Sequence, residues 1–399
     1  MNAATVLRAT RVFDGDSLLD GPHEVHVEEG RITAVLPSRS AGENVSTDFD
    51  DATILPGLVD AHVHLSFDAS PDIEYLARAD TPATAALRSA MNARRHLAAG
   101  VSTVRDLGSP QGIVIDVARA VGTPLLPTAP TIVAAGQVLT ITGGHGYFMG
   151  REVDGPEAVR RGARAEIKRG ARALKVIATG GVITEQGTPG ATAMTPYELC
   201  AAVEEAHKVG LRVAAHAHGT EGIKNALRAG VDTIEHASYL DDEAIELFLE
   251  GDAWMVSTLI ASERLMPHLD DPAMPAHVRD KIRDHTCQEA ASLERAITAG
   301  VRIAAGTDAG TGYNPHGGLP EQVTLLGHHG MTPEQALTAA TWDSANAIGL
   351  AETHGKIAVG RRADLLVVDG DPFDDLGALR NVSAVYLGGR LVDVARVTG

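Results

Sequence analysis

The chain has 399 residues, 44% of them hydrophobic, and carries 34 Lys and Arg against 52 Asp and Glu, a formal net charge of −18. That length exceeds a typical domain of about 100 to 150 residues, which implies either one large barrel with an accessory domain or several small domains. The acidic balance argues against nucleic-acid or anionic-membrane partners; no stretch approaches the ~18 apolar residues of a membrane span, and the opening MNAATVLRATRVFDGD lacks the apolar run of a signal peptide, so a cytoplasmic protein is expected.

Residues 1–56 read as short alternating strands with Asp-Gly and Gly-Pro turn signals, and residues 355–399 read the same way through ADLLVVDGDP and VSAVYLGGRLVD. Together they predict one small β-sandwich domain built from both termini. Between them, over 57–354, eight apolar strand-like runs follow in order: GLVDAHVH, VSTVRDLG, PTIVAAG, ALKVIATGG, RVAAHAHG, DTIEHAS, AWMVSTLI and RIAAGTDAG. Helical segments separate them with no further strands expected inside, as at 195–209, where Leu199, Val203 and Ala206 make one apolar stripe behind a Thr195-Pro196 start. Gly100, Gly122, Gly170, Gly210, Gly230, Gly251 and Gly300 each follow a helical run, where a left-handed terminating residue is wanted. The alternation predicts a closed (β/α)8 TIM barrel. An open doubly wound sheet fits less well, because no G-x-G-x-x-G follows the first strand and polar residues cluster at several strand ends. Two cysteines, Cys200 and Cys287, are too few for a disulfide framework and read as buried structural thiols.

The strand ends carry the chemistry. His62 and His64 lie i, i+2 on the first run and face the same way, with Asp60 placed to orient a ring. Lys175 ends the fourth run, His216 and His218 the fifth, His236 the sixth and Asp308 the eighth. A lone H-x-H is weak evidence of a metal. A carboxylate beside several imidazoles at adjacent strand ends is what a hydrolytic Zn2+ site needs, as ligand and as proton acceptor. A cationic Lys175 facing such a site would cost several kcal/mol unless its charge were changed.

This order of residues resembles the amidohydrolase superfamily over nearly the whole chain. The resemblance implies two divalent metal ions, with Zn2+ the best match to N/O ligands. It implies His62, His64 and Asp308 on the first ion, His216 rather than His218 with His236 on the second, and a carbamate formed from CO2 on Lys175, with a hydroxide, bridging the two. Asp308 would move the proton of the attacking hydroxide to the leaving amine. TVRDLG (103–108), ITGGHGYF (141–148), LKVIATGGV (174–182), AHAHGTEGI (215–223) and IEHASYLDD (234–242) are similar to the prolidase-like branch, with its Xaa-Pro dipeptidases, acyl-amino-acid carboxypeptidases and ochratoxin-type amidases. That likeness places Tyr239 on a substrate carboxylate, with His145 and His218 lining the pocket and polarising the carbonyl or binding the acid end. Arg105 and Arg151 are candidate clamps for which a surface ion pair is the plainer role. The expected activity is hydrolysis of an amide or peptide bond next to a carboxylate-bearing group in a small molecule, by a homo-oligomer. Competing readings are a cyclic amide hydrolase or deaminase of the imidazolonepropionase type, which would not use Lys175, and a non-catalytic scaffold.

Overall fold

The computed structural model describes residues 5–38 and 45–394. Four strands open the chain: β1 (Thr5–Val12), β2 (His23–Glu28), β3 (Arg31–Pro37) and β4 (Thr47–Pro56). Ten follow through the middle: β5 (Leu58–Val63), β6 (Val101–Asp106), β7 (Thr131–Ala134), β8 (Val138–Thr140), β9 (Gly150–Glu152), β10 (Ala173–Ile177), β11 (Arg212–Ala217), β12 (Thr233–His236), β13 (Trp254–Ser257) and β14 (Ile303–Ala305). The chain closes with β15 (Leu365–Asp369), β16 (Val382–Leu387) and β17 (Arg390–Leu391).

The terminal strands join in one hydrogen-bonded sheet ordered β17-β16-β15-β4-β1-β2-β3, so β15 from the C-terminal part pairs antiparallel with β4 from the N-terminal part. Its strands alternate. On β2, His23, Val25 and Val27 are buried, the two valines in a core shared with Leu7, Ile32, Leu365 and Val367, while Glu24 and His26 between them stay half-exposed.

The middle strands are different in kind. β5, β6 and β10 are buried at every position, as expected of parallel strands covered on both faces. They form a TIM-like barrel. The arcs β5-β6-β7 and β10-β11-β12-β13-β14 run parallel. One seam closes where Val63 bridges Ala309 and the His64 N–H donates to the Ala309 carbonyl (2.8 Å); at the other, the Arg172 N–H donates to the Ala134 carbonyl (2.8 Å). The barrel is interrupted once, contrary to the expectation of bare βα units: β8 and β9 extend the sheet beside β10.

Local signals explain the helix ends. Thr195 caps the helix Pro196–His207 in a reciprocal capping box with Glu198, and Leu199, Val203 and Ala206 are buried along it. Gly170 (φ 109°) and Gly300 (φ 80°) take the left-handed terminating conformation. Gly251 does not: at φ −97° and ψ −174° it is extended, because the chain leaves the helix Asp242–Glu250 straight toward β13. The reading of both cysteines as buried also fails, since Cys200 is half-buried and Cys287 is exposed. No helix among the described residues is long and apolar enough to cross a membrane.

Candidate active site

The C-terminal ends of the barrel strands converge on one cavity of about 60 Å³, lined among others by His62, His64, His145, Lys175, His216, His218, His236 and Asp308. Within it the structure brings together two groups. One ligand atom from each of His62, His64 and Asp308 lies within 4.8 Å of the others, and the same holds for His216, His218 and His236. The spacing of neighbouring parallel strands produces this, since β11 and β12 pair with Ala217 opposite His236. The choice of His216 over His218 is not made by distance.

Most of these rings are held from behind, leaving a nitrogen for the cavity. Nδ1 of His64 lies 3.0 Å from the Gly108 carbonyl, Nε2 of His216 3.1 Å from the Gly180 carbonyl, Nδ1 of His218 2.8 Å from the Ser238 hydroxyl and Nδ1 of His236 2.6 Å from the Thr258 hydroxyl. Burial holds His62, His216, His218 and His236 well below the usual imidazole range, which keeps them neutral, the form that donates a lone pair to a metal. Burial alone would lower His64 as well, but Asp308, 3.2 Å from its Nε2, outweighs that and holds it higher.

Lys175 is the anomaly. It is 2% exposed and its Nζ has no hydrogen-bond partner. A buried ammonium without partners is costly, and desolvation lowers Lys175 to about 8, against the opposing pull of Glu235 and Asp308. A part-neutral amine aimed among imidazoles fits a group that would be modified to an anion and ligate metal. The donor set of neutral imidazoles and one carboxylate fits divalent ions in the same way.

Backbone strain marks the same place. His236 (φ 71°), Ala237 (φ 52°) and Asp308 (φ 54°) adopt the left-handed conformation without being glycine, at a cost of order 1 to 3 kcal/mol each. Surrounding bonds impose it: the Asp308 N–H donates to the His62 carbonyl (2.8 Å) and the Ala237 N–H to the Ala217 carbonyl (3.1 Å).

Beneath the rim, two expectations are corrected. Asp60 does not orient a ligand ring. Its carboxylate accepts from the Thr307 hydroxyl (2.7 Å) and from the backbone N–H groups of Thr307 and His62, and burial pushes it up to about 7. The residue behind His62 is Glu235, whose Oε2 lies 2.9 Å from His62 Nδ1, too oblique for a hydrogen bond but close enough to orient the ring by charge. Arg105 is neither a surface residue nor a clamp: fully buried, it donates to the Ala61 carbonyl (2.7 Å) and to Glu235 (2.9 Å), fixing that carboxylate. Arg151 pairs with Glu166 at 3.0 Å on a partly exposed face, the plainer role. Removing the Glu235 charge while keeping its shape, Glu235→Gln, is expected to weaken metal binding about tenfold, read by competition with a chelator. Unchanged affinity would show that Glu235 serves Arg105 alone.

Of the residues expected on substrate, His145 lines the cavity, stacks on His216 with centroids 4.3 Å apart, and is lowered to about 3 by burial. His218 lines it too and stacks on His236 at 4.6 Å. Tyr239 is half-buried just behind, its Oη 3.2 Å from Nδ1 of His285. Sequence reasoning missed His285, Glu289, Thr258 and Ser262, all of which line the cavity. His285 and Glu289 sit on the helix Ala276–Ala299, where with Ile282 they recur at i, i+3, i+7; that polar spacing on one helix face was the available signal.

Comparison with known proteins gives the family and the fold. The sequence profile of the amidohydrolase family matches residues 53–392. An ochratoxinase from Aspergillus niger is 30% identical over 371 residues, covering 85% of this chain and 75% of the relative. Among solved structures, a Xaa-Pro dipeptidase with methionine bound in its active site superposes with a TM-score of 0.89 at 30% identity, over 98% of this chain and 100% of that one. The Aspergillus niger ochratoxinase structure gives 0.87 at 28% identity, over 97% and 95%.

Proposed function

This chain belongs to the amidohydrolase family, in its prolidase- and ochratoxinase-like branch, and is a hydrolase acting on amide bonds; on that premise we propose that it is a binuclear enzyme cleaving an amide or peptide bond next to a carboxylate-bearing group, as in a dipeptide or N-acyl amino acid. The observation that carries the reading is the unpartnered Nζ of buried Lys175, in the same cavity as the two ligand groups. A mononuclear ring-opening enzyme has no use for a lysine there. Attack of the neutral Nζ on CO2 forms an N–C bond and releases a proton, turning the lysine into an anionic carbamate able to bridge two cations.

In this reading His62, His64 and Asp308 hold one divalent ion and His216 and His236 the second, with Zn2+ the best fit to these donors. Bound there, the ions would supply Lewis acidity toward the scissile carbonyl and acidify the attacking water. The chain's own residues do the rest. Asp308, with its carboxylate among the ligands and 14% exposed to the cavity side, takes the water's proton on an oxygen and returns it to the leaving amine nitrogen. His145 stays neutral; with Nδ1 2.9 Å from the Thr184 hydroxyl, its Nε2–H is free to donate to the developing oxyanion. His218 and Tyr239, set side by side on the ends of β11 and β12, hold the substrate carboxylate.

A phenol donating to a charged acceptor contributes about 1.5 to 3 kcal/mol, so Tyr239→Phe is expected to lower kcat/KM about tenfold to a hundredfold for substrates with a free α-carboxylate. Matched amides lacking that carboxylate are expected to change little. Equal slowing of both classes, or a wild-type preference for uncharged ureas, carbamates or lactams, would overturn the substrate class.

A further inference from the structure

The loop that follows the Lys175 strand is placed by side chains rather than by a backbone ladder. Among the described residues the backbone of 181–187 makes no hydrogen bond to another backbone group, although Gly180 just before it donates to the Ala191 carbonyl (2.9 Å). Its anchors come from one face of the helix Ala276–Ala299, where His277 and Lys281 lie four residues apart. His277 Nε2 donates to the Ile183 carbonyl (2.6 Å). Lys281 Nζ donates to the carbonyls of Thr184 (2.7 Å), Glu185 (3.2 Å) and Gly181 (3.5 Å). An ammonium has three N–H groups, and three carbonyls of one short loop converge on this one.

The same loop carries His145. A Cβ on Gly181 would lie 2.4 to 2.6 Å from three atoms of the His145 ring, so the ring rests directly on the Gly181 backbone. Thr184 is fully buried, and its hydroxyl accepts from the Gly146 N–H (3.3 Å) and lies 2.9 Å from His145 Nδ1. Among the described residues no other acceptor meets the hydroxyl hydrogen, which therefore goes to Nδ1 and leaves the proton of the neutral imidazole on Nε2. Lys281 and His145 thus meet at one residue: the ammonium holds the Thr184 carbonyl, and the Thr184 hydroxyl holds the ring.

We propose that Lys281 is a positioning residue for catalysis, its ammonium fixing the loop so that Thr184 presents His145 to the cavity as the Nε2–H tautomer. The inference rests on the reading of His145 as donor to the oxyanion of amide hydrolysis. Lys281 itself touches neither the substrate nor the metal ligands in this account. A donor aimed at developing charge acts only in the right place, and a displacement of about 1 Å can cost a hundredfold in rate.

Lys281→Ala removes the ammonium and three methylenes, and propylammonium supplies the same atoms from solution. The variant is expected to lose about tenfold to a hundredfold in kcat, with KM within about threefold and metal content unchanged. Propylammonium should restore part of that loss, and tetramethylammonium, which has no N–H to donate, should not. Nitrogen NMR of histidine-labelled protein, with the His145 signals identified by their absence in His145→Gln, is expected to show one Nε2–H tautomer in the wild type and a mixture of tautomers in Lys281→Ala. Lys281→Met, which keeps an unbranched stem without the charge, repeats both measurements if the Ala variant does not fold. An unchanged His145 signal in the variant would overturn the inference, as would an unchanged kcat, loss of metal, or equal rescue by the two ammonium ions. If the His145 signal changes as expected but the wild-type protein cleaves no amide, the amide reading fails and the positioning of His145 by Lys281 stands.

Discussion

Asp308→Ala is expected to abolish turnover while leaving a folded protein. The carboxylate serves twice: one oxygen lies 3.2 to 3.3 Å from Nε2 of both His62 and His64, where it can complete a metal's ligands, and the group is also the proton carrier between water and leaving amine. General acid–base catalysis alone is worth about 10²- to 10⁴-fold, and loss of a ligand adds to that. Stability should barely change, because it resides in the side-chain layers within the barrel, such as Val59, Ala61, Ala214 and Val256, rather than at the rim. Removing Asp308 also leaves the strained backbone of its loop anchored by the Thr307 and Asn314 bonds below it. kcat/KM on an N-acyl amino acid, beside a thermal melt, checks both parts. Insoluble protein, or more than a tenth of wild-type activity, would assign Asp308 to structure instead.

Lys175→Ala has the second largest expected effect. Deletion removes an amine that has no hydrogen bond to lose, so the folded state should be unharmed and could gain stability from losing a buried polar group. The function should suffer, because the bridge that would hold two ions at about 3.5 to 4 Å would be gone. Less metal per chain and activity lower by orders of magnitude are expected. Formate or acetate should restore part of the activity by occupying the vacated space. Unchanged metal content together with no rescue would count against the carbamate.

The barrel was legible because its strands are short apolar runs of β type, closed by glycines such as Gly170 and Gly300 that only a left-handed turn requires. The rim residues were legible for a related reason: strand periodicity fixes which way His62 and His64 point, and adjacent parallel strands set His216 beside His236. What escaped notice depends on contacts between distant segments. Glu235 and Arg105 look like any strand charges until the barrel closes and puts them on opposite sides of one interior, 130 residues apart in sequence. Asp60, next to the first histidines, was the nearer candidate for orienting a ring, yet the strained turn at Asp308 draws it to Thr307. His285 and Glu289 were hidden by the assumption that chemistry sits only at strand ends, although a long helix packed over the mouth can contribute a face of its own. The small strands β8 and β9 hold too few residues for an alternation to show.

The central claim is a two-metal site assembled from five strand-end ligands and Lys175, and the most direct test is the number of ions each chain retains. Elemental analysis of the purified protein at metal saturation is expected to give two divalent ions per chain. One ion per chain at saturation would contradict the binuclear account and favour a mononuclear ring-opening enzyme on the same barrel.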